Sequence, residues 1–223
     1  MRPPRAPSTV RRLMLAVALA ATLLGLIMMS IRSHRLAVER RGREGACYSS
    51  LNNIAIALHN YSEVNGRFPP PFEVDEQGER KHSWRPLILR WFPVDNPQAG
   101  GYDIGERWDG IGNTRLSSAV PGFLRCPTER IENPHGSPFV MINDLGDTDL
   151  GKIPNDAILV LEAWGANRNW LDPRNIVEMD QGIRVQETDH PSGFGVILRD
   201  FSVVRVRDAG SIRKRGRYYV LER

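Results

Sequence analysis

The chain has 223 residues, of which 41% are hydrophobic, with two cysteines and a net charge of +4. This length and composition fit one ordinary domain plus an anchor and argue against two full domains. The positive charge is concentrated at the start. Residues 1–46 hold nine arginines against two glutamates, whereas residues 47–223 hold 21 basic and 24 acidic side chains. The larger part is mildly acidic and carries no nucleic-acid-binding motif, so we predict no nucleic-acid partner.

The first predicted element is a transmembrane helix. Residues 13–31 contain no charged side chain, and at about 1.5 Å per residue such a run reaches roughly 28 Å, close to the ~30 Å hydrocarbon core of a bilayer. A cleaved signal peptide is the rival interpretation, but its apolar core usually has about 7–15 residues and ends at a small-residue site. This run ends in Met28-Met29-Ser30-Ile31-Arg32, so we predict that the helix is retained.

This helix divides the chain into four predicted segments. They are a basic N-terminal tail over 1–12, the transmembrane helix over 13–31, a juxtamembrane helical linker over 32–46 and a soluble domain over 47–223. Arginines flank both ends of the apolar run, so the positive-inside rule does not fix its orientation.

An amphipathic helix is predicted at the start of the soluble domain. Its apolar residues are spaced by four, three, four and three positions, which is the pattern of one buried helical face; they are Cys47, Leu51, Ile54, Leu58 and Tyr61. We expect this stripe to continue the transmembrane helix into one long helix that ends before Gly66. The sequence Phe68-Pro69-Pro70-Pro71 then prevents any further helix, because proline lacks the amide proton and disfavours a helical residue before it.

The rest of the chain predicts short helices and a sheet. Ser83 can cap a short helix with Pro86 in its first turn, and residues 93–122 are glycine-rich without clear periodicity. Short β-branched runs then predict strands at 139–142, 157–161, 195–198 and 202–206, with a hairpin turn at Arg199-Asp200-Phe201 and an added edge at 218–221. One long helix followed by a mostly antiparallel sheet is an α+β fold.

Six short sequence blocks follow one another between residues 45 and 207. They are Cys47 with Leu51-Asn52-Asn53-Ile54-Ala55-Ile56-Ala57-Leu58-His59-Asn60-Tyr61; Gly66-Arg67-Phe68-Pro69-Pro70; His82-Ser83-Trp84-Arg85; Trp108-Asp109 with Asn113; Phe123-Leu124-Arg125-Cys126-Pro127 with Trp170 and Pro173; and His190-Pro191-Ser192-Gly193-Phe194 with Asp200. Together they resemble a pilin-like family of unknown function that is expanded in planctomycete bacteria and related to the prepilin-type pseudopilins of type II secretion. The resemblance implies a pilin-like fold and a C-terminal His-x9-Asp motif, but it brings no known activity.

The chain departs from that family's pattern in two places. Members usually begin with a glycine after a basic leader and carry a glutamate inside the apolar helix, whereas Arg12 here runs directly into Leu13 and residues 13–31 contain no acid. The signals for prepilin cleavage and classical filament assembly are therefore missing. Phe201 stands where the family usually has glycine, and a bulky residue there argues against a turn with positive φ.

The cysteine pair leaves two interpretations open. Cys47 and Cys126 are compatible with one disulfide in an oxidising compartment and equally with two buried thiols. If they pair, the closed loop stabilises the domain by around 4 kcal/mol in the chain-entropy model.

The candidates for chemistry lack the spacing of known sites. They are His59, His82, His135 and His190, with Glu162, Asp189 and Asp200. None belongs to a His-Glu-x-x-His, Cys-x-x-Cys or Gly-x-Ser-x-Gly pattern, so we predict no catalytic, cofactor or metal residues. A metal-dependent hydrolase is the remote alternative, and it requires at least three of these groups within about 5 Å of one another.

These features predict a single-pass protein of the cell membrane, with its soluble domain on the periplasmic or extracytoplasmic side. We expect it to work without catalysis, as a pilin-like structural or binding protein. Its expected partners are the lipid bilayer and other pilin-like subunits. The alternative is a tethered module that binds an envelope polymer such as a glycan. In that case the tryptophans at 84, 91, 108, 164 and 170 should be partly exposed, since aromatic rings stack on sugars.

Overall fold

The computed structural model describes residues 8–92, 97–127, 133–141, 150–163, 169–174 and 192–222. The chain forms two compact units, Met1–Gly42 and Arg43–Arg223. The described helices are α1 (Ser8–Asn65), α2 (Trp84–Ile88), α3 (Pro97–Gly101) and α4 (Ile111–Thr114). The described strands are β1 (Phe72–Val74), β2 (Arg80–Ser83), β3 (Phe139–Met141), β4 (Ile158–Glu162), β5 (Phe194–Leu198), β6 (Val203–Val206), β7 (Ile212–Arg215) and β8 (Tyr218–Leu221).

The first unit is a helix with its apolar side chains exposed. Leu13, Leu19 and Leu23 are 60–70% exposed. The most apolar 18-residue window of α1 has a mean hydropathy of 2.4 and none of it is buried. Within the described part of the chain, this is one helix that is long and apolar enough to cross a membrane. The predicted long helix is confirmed.

The second unit is built around the C-terminal part of α1. Leu51, Ile54 and Leu58 are at most 1% exposed, as the predicted stripe requires. The helix stops at Gly66, which has a φ of 66° and donates its backbone N–H to Ser62 O at 2.8 Å. Glycine is the residue that most readily takes this left-handed conformation after a helix.

The main sheet is antiparallel and follows the order β3-β4-β5-β6. Every residue of β4 and β5 is buried, so both faces of these central strands are covered. Gly195 in β5 lies against Leu51 of α1, and a Cβ at this glycine would fall 2.0 Å from Leu51 Cδ1. The small residue therefore allows the helix to approach the sheet closely. The α+β arrangement is confirmed.

Two parts of the predicted topology need correction. The segment at 218–221 does not extend the main sheet, because β8 pairs with β7 in a separate two-stranded sheet, with Val220 making an isolated bridge to Ala157. The antiparallel pair β1 and β2 was not predicted at all. Its strands have only three and four residues, too short to show an alternating pattern.

The turn between β5 and β6 contradicts the expectation for Phe201. This residue has a φ of 63°, so the turn keeps the left-handed conformation without glycine. Its ring packs edge-on against His59 at 4.9 Å and at a tilt against Phe68 at 5.6 Å. Such aromatic contacts offset a backbone cost of about 1–2 kcal/mol. Asp200 supports the same turn by accepting a bond from Ser202 N at 3.0 Å.

Candidate functional site

Cys47 and Cys126 form a disulfide with a Cα–Cα distance of 4.9 Å. The bond joins α1 to the segment that precedes Pro127, across 79 positions of sequence. Beside it lies the fully buried Glu162, whose Oε2 accepts a hydrogen bond from Gly195 N at 3.1 Å. The two sulfurs and a carboxylate oxygen of Glu162 lie within 4.8 Å of one another. Because the sulfurs are bonded to each other, they do not present the two thiolates that a zinc site needs.

His82 is a buried, neutral histidine. It is 1% exposed, with Nε2 at 2.8 Å from Ile104 O and Nδ1 at 2.7 Å from the Tyr102 hydroxyl. Since a carbonyl can only accept, Nε2 carries the proton and Nδ1 accepts from the hydroxyl. Burial lowers the pKa of His82, and the bond to Ile104 only partly opposes that shift. Burial likewise raises the pKa of Tyr102.

The next three residues join α2 to distant segments. Ser83 caps α2 by accepting from Arg85 N at 3.2 Å, and its hydroxyl donates to Trp170 O at 3.3 Å. Trp84 and Arg85 are completely buried. The Arg85 guanidinium donates to Phe139 O in β3, and its burial lowers the pKa to about 9. The His82–Arg85 block therefore has a structural role: it connects α2 to β3 and to the segment at Trp170.

The motif residues on α1 make helix and loop contacts. Asn52 donates to Tyr48 O at 2.9 Å, and Asn60 donates to Trp91 O at 3.1 Å. Asn53 is half-buried, whereas His59 is exposed, with Nε2 3.9 Å from the Glu63 carboxylate. After the helix, Phe68 and Pro69 are buried and Pro70 is half-buried. These positions shape the end of the helix.

Three candidate histidines, His59, His82 and His135, lie in separate environments. His59 lies at the turn holding Phe201, His82 bonds to Tyr102, and His135 Nδ1 lies 3.1 Å from Ser117 O. Among the described residues, the group with metal-ligand proximity is the disulfide and Glu162, which contains none of these histidines. His190 and Asp189 lie outside the described residues.

The tryptophans divide into two kinds. Trp84 and Trp170 are fully buried, whereas Trp91 and Trp108 are half-buried and line two different clefts. Trp164 lies outside the described residues. The cleft at Trp91 has a volume of about 240 Å³ and the cleft at Trp108 about 450 Å³. The local sequence does not separate these two kinds, since the buried Trp170 and the half-buried Trp108 both follow a polar segment.

The loop carrying Trp108 is held by one buried side chain. Asn113 is completely buried. Its Oδ1 accepts from Asp103 N at 2.9 Å, and its Nδ2 donates to Asp103 O at 2.8 Å and Glu106 O at 3.0 Å. Trp108 N itself donates to Lys81 O in β2 at 3.1 Å. Trp108 is therefore fixed to the β1–β2 pair.

Arginines surround the ring of Trp108. Arg107 pairs with Asp75 at 2.8 Å and with Asp109 at 3.2 Å. Its hydrogen bond to Asp109 is the largest cause of its raised pKa. Arg174 lies 5.5 Å from the Trp108 ring centroid and pairs with Asp172 at 2.9 Å, which raises its pKa. We call this region the Trp108 cleft; it is lined by Gly78, Glu79, Arg80, Arg107, Trp108, Asp109, Pro173 and Arg174.

The apolar N-terminal helix, its buried continuation and the antiparallel sheet fit a membrane-anchored, pilin-like protein. The chain belongs to the family described as "Protein of unknown function (DUF1559)", a family related to pilin-like proteins, whose model matches residues 40–187. That match contains the first five blocks of the resemblance, whereas the sixth, His190–Phe194 with Asp200, lies beyond it. No curated protein matches the chain, and no solved structure does.

Proposed function

We propose that this chain is a membrane-anchored, pilin-like protein of the cell envelope that acts by binding or assembly and not by catalysis. The observation that carries the proposal is the division of α1 into two parts. From Leu13 to Ile31 its apolar side chains are exposed, whereas from Cys47 to Tyr61 its apolar stripe is buried in the domain core. One helix therefore serves as an anchor and also as the central element of the domain.

A bilayer is the environment that suits the exposed part of α1. A helix satisfies its own backbone hydrogen bonds, which is a requirement for crossing the hydrocarbon core. Placing its apolar side chains in lipid removes them from water, a gain of about 25 cal/mol per Å² of apolar surface. The apolar run ends in Met28-Met29-Ser30-Ile31-Arg32 without the small-residue site at which signal peptides are cleaved, which favours a helix that stays attached to the domain.

The disulfide supports an extracytoplasmic domain. Cys47–Cys126 is a covalent bond of the kind that persists in oxidising compartments and is rare in the cytosol. In this proposal the domain faces the periplasm or the cell exterior, as pseudopilin domains do. His190 and Asp200, with nine residues between them, belong to the C-terminal motif of the planctomycete family, in which Asp200 fixes the hairpin turn.

Cysteine cross-linking in native membranes tests assembly. Single cysteines replace Leu23, Leu24 or Ile27, which are 60%, 62% and 47% exposed, and the membranes are oxidised with copper phenanthroline. The native cysteines are already paired and do not interfere. Assembly predicts disulfide-linked dimers that depend on position, with none from a control cysteine at Gln77. Strictly monomeric protein at all three positions would contradict assembly and leave binding as the mode of action.

A further inference from the structure

We propose that the Trp108 cleft binds a carboxylate-bearing sugar unit of an acidic polysaccharide. The inference rests on the binding half of the proposed function and names the ligand class and the site. The cleft has a volume of about 450 Å³, which is enough for one or two sugar rings on the scale of known small-molecule sites, about 300–1,000 Å³. It combines an aromatic ring, a guanidinium with available donors, and carboxylates.

Arg80 provides the group that recognises the acid. Its guanidinium carbon lies over the Phe72 ring, 4.3 Å from the ring centroid, so a cation–π contact holds the guanidinium in place. The N–H groups point outward in the guanidinium plane, because that is where all five donors lie. Arg80 makes no ion pair with a carboxylate of the described residues, and a guanidinium of this kind matches a carboxylate with two parallel hydrogen bonds.

The other two arginines of the cleft hold its walls in place. Arg107 is occupied by Asp75 and Asp109, and Arg174 contacts Asp172 through two nitrogens at 3.0 and 2.9 Å. Asp75, Asp109 and Asp172 partly neutralise the charges of these two guanidinium groups. The remaining positive potential still favours an anion in the cleft. These ion pairs fix two sides of the cleft, and of the three arginines Arg80 is the one that pairs with no carboxylate of the described residues. Such preorganisation lowers the entropic cost of binding.

Trp108 and the acidic residues favour a sugar over a phosphate. Trp108 is half-buried and lines the cleft beside Arg174, so the exposed part of its ring offers an apolar surface to the C–H groups of a pyranose, while Glu79 and Asp109 also line the cleft. Ionised carboxylates only accept hydrogen bonds, so they suit sugar hydroxyls, and they repel a phosphate dianion more strongly than the single negative charge of a uronate. A uronate unit carries one carboxylate for Arg80 and several hydroxyls for the two acids. A neutral sugar lacks the first contact.

Calorimetric titration of the full-length chain in detergent micelles tests the assignment. Trigalacturonate is the probe, and galactotriose and inorganic phosphate are the comparison ligands. We expect trigalacturonate to bind and the other two to bind at least about tenfold more weakly, since a hydrogen bond between charged groups is typically worth that factor. Raising the salt concentration should weaken binding, because the recognised group is charged.

Two variants and one matched control locate the site. Arg80→Gln and Trp108→Ala should each weaken trigalacturonate binding about tenfold or more, whereas Trp91→Ala, which alters the other tryptophan cleft, should bind as the wild type does. Because Arg80 is only half-buried, we expect Arg80→Gln to fold. This variant therefore tests the site even if Trp108→Ala fails to fold. Absence of trigalacturonate binding, equal binding by Arg80→Gln, or equal affinity for phosphate would each overturn the assignment.

The binding experiment can fail independently of the proposed membrane anchor and domain orientation. Membrane retention and surface labelling depend on α1 and do not involve the Trp108 cleft. If the wild type is retained and labelled but does not bind trigalacturonate, only the ligand assignment fails. If the chain is lost from the membrane, the proposed function fails whatever the cleft binds.

Discussion

At the residue scale, His82 makes the stability of the domain depend on pH. Burial holds the pKa of His82 below its ordinary value of 6.5, so the unfolded chain binds the extra proton more readily than the folded chain does. Between the folded pKa and about 6.5 the unfolded state therefore gains protons first, and stability falls as the pH falls. Above that window the contribution of His82 is constant.

This linkage gives a first prediction. The thermal unfolding midpoint of the wild type should be lower at about pH 5 than at about pH 7.5, and His82→Gln should reduce that difference because its side chain does not titrate. Ser83→Ala is the matched control. It removes the α2 cap, worth about 1 kcal/mol, but retains the histidine and should keep the pH difference. An unchanged difference in His82→Gln would contradict the assignment.

A second prediction concerns the left-handed conformation of Phe201. Phe201→Gly and Phe201→Ala both lose the ring contacts with His59 and Phe68, but only alanine still carries a Cβ at a φ of 63°. The glycine variant should therefore be more stable than the alanine variant by about 1 kcal/mol. Chemical denaturation of the purified chain measures the difference.

At a position without a positive φ, the glycine variant should be no more stable than the alanine variant. Arg207 is exposed and does not have a positive φ, so Arg207→Ala should be at least as stable as Arg207→Gly. The same order at both positions, with alanine more stable at 201, would show that the turn does not require the left-handed conformation.

Single residues also show the limits of prediction from sequence. The stripe from Cys47 to Tyr61 could be predicted because helical periodicity is local. The conformation of Phe201 could not, since its ring is stabilised by His59 and Phe68, which are remote in sequence. The pairing of Cys47 with Cys126 stayed open for the same reason: spacing along the chain does not give the distance between two Cα atoms.

At the scale of elements, the disulfide ties α1 to the segment after the Trp108 loop. It closes a loop of 79 positions, and a loop of that length constrains the unfolded chain by around 4 kcal/mol in the chain-entropy model. The bond lies in the core beside Glu162 and Gly195, where α1 packs closely on β5. Its loss should loosen the attachment of the helix to the sheet.

The third prediction follows from this bond. The double variant Cys47→Ala/Cys126→Ala should lose about 4 kcal/mol of unfolding free energy, measured by urea denaturation. Dithiothreitol should destabilise the wild type by a similar amount and leave the double variant unchanged. A wild type that is equally stable with and without reductant would contradict a structural role for the bond.

The strands differ in how well the sequence predicts them. The strands β3 to β6 contain runs of β-branched and apolar residues, and their positions were predicted closely. The pair β1 and β2 is short and partly polar, and its place is set by contacts such as Trp108 N with Lys81 O. The predicted position of β8 at the edge of the main sheet was also wrong, because strand pairing depends on the path of the chain and not on the composition of one strand.

At the scale of the whole molecule, the two parts of α1 differ in the burial of their apolar side chains. The apolar side chains of the Leu13–Ile31 part are exposed, as a bilayer anchor requires, and the Cys47–Tyr61 part holds the domain core. The disulfide supports the proposal that the domain lies outside the cytoplasm. The Trp108 cleft, at the surface of that domain, is the place where an envelope ligand would bind.

Labelling of intact cells with a membrane-impermeant maleimide tests this central claim most directly. The reporter is Gln77→Cys, at an exposed position of the β1–β2 turn, and the control is Ala6→Cys in the N-terminal tail. The account predicts that protein sedimenting with the membrane after carbonate extraction is labelled at position 77 before lysis and at position 6 only after permeabilisation. Labelling at position 77 only after permeabilisation, or release of the protein by carbonate, would contradict the account.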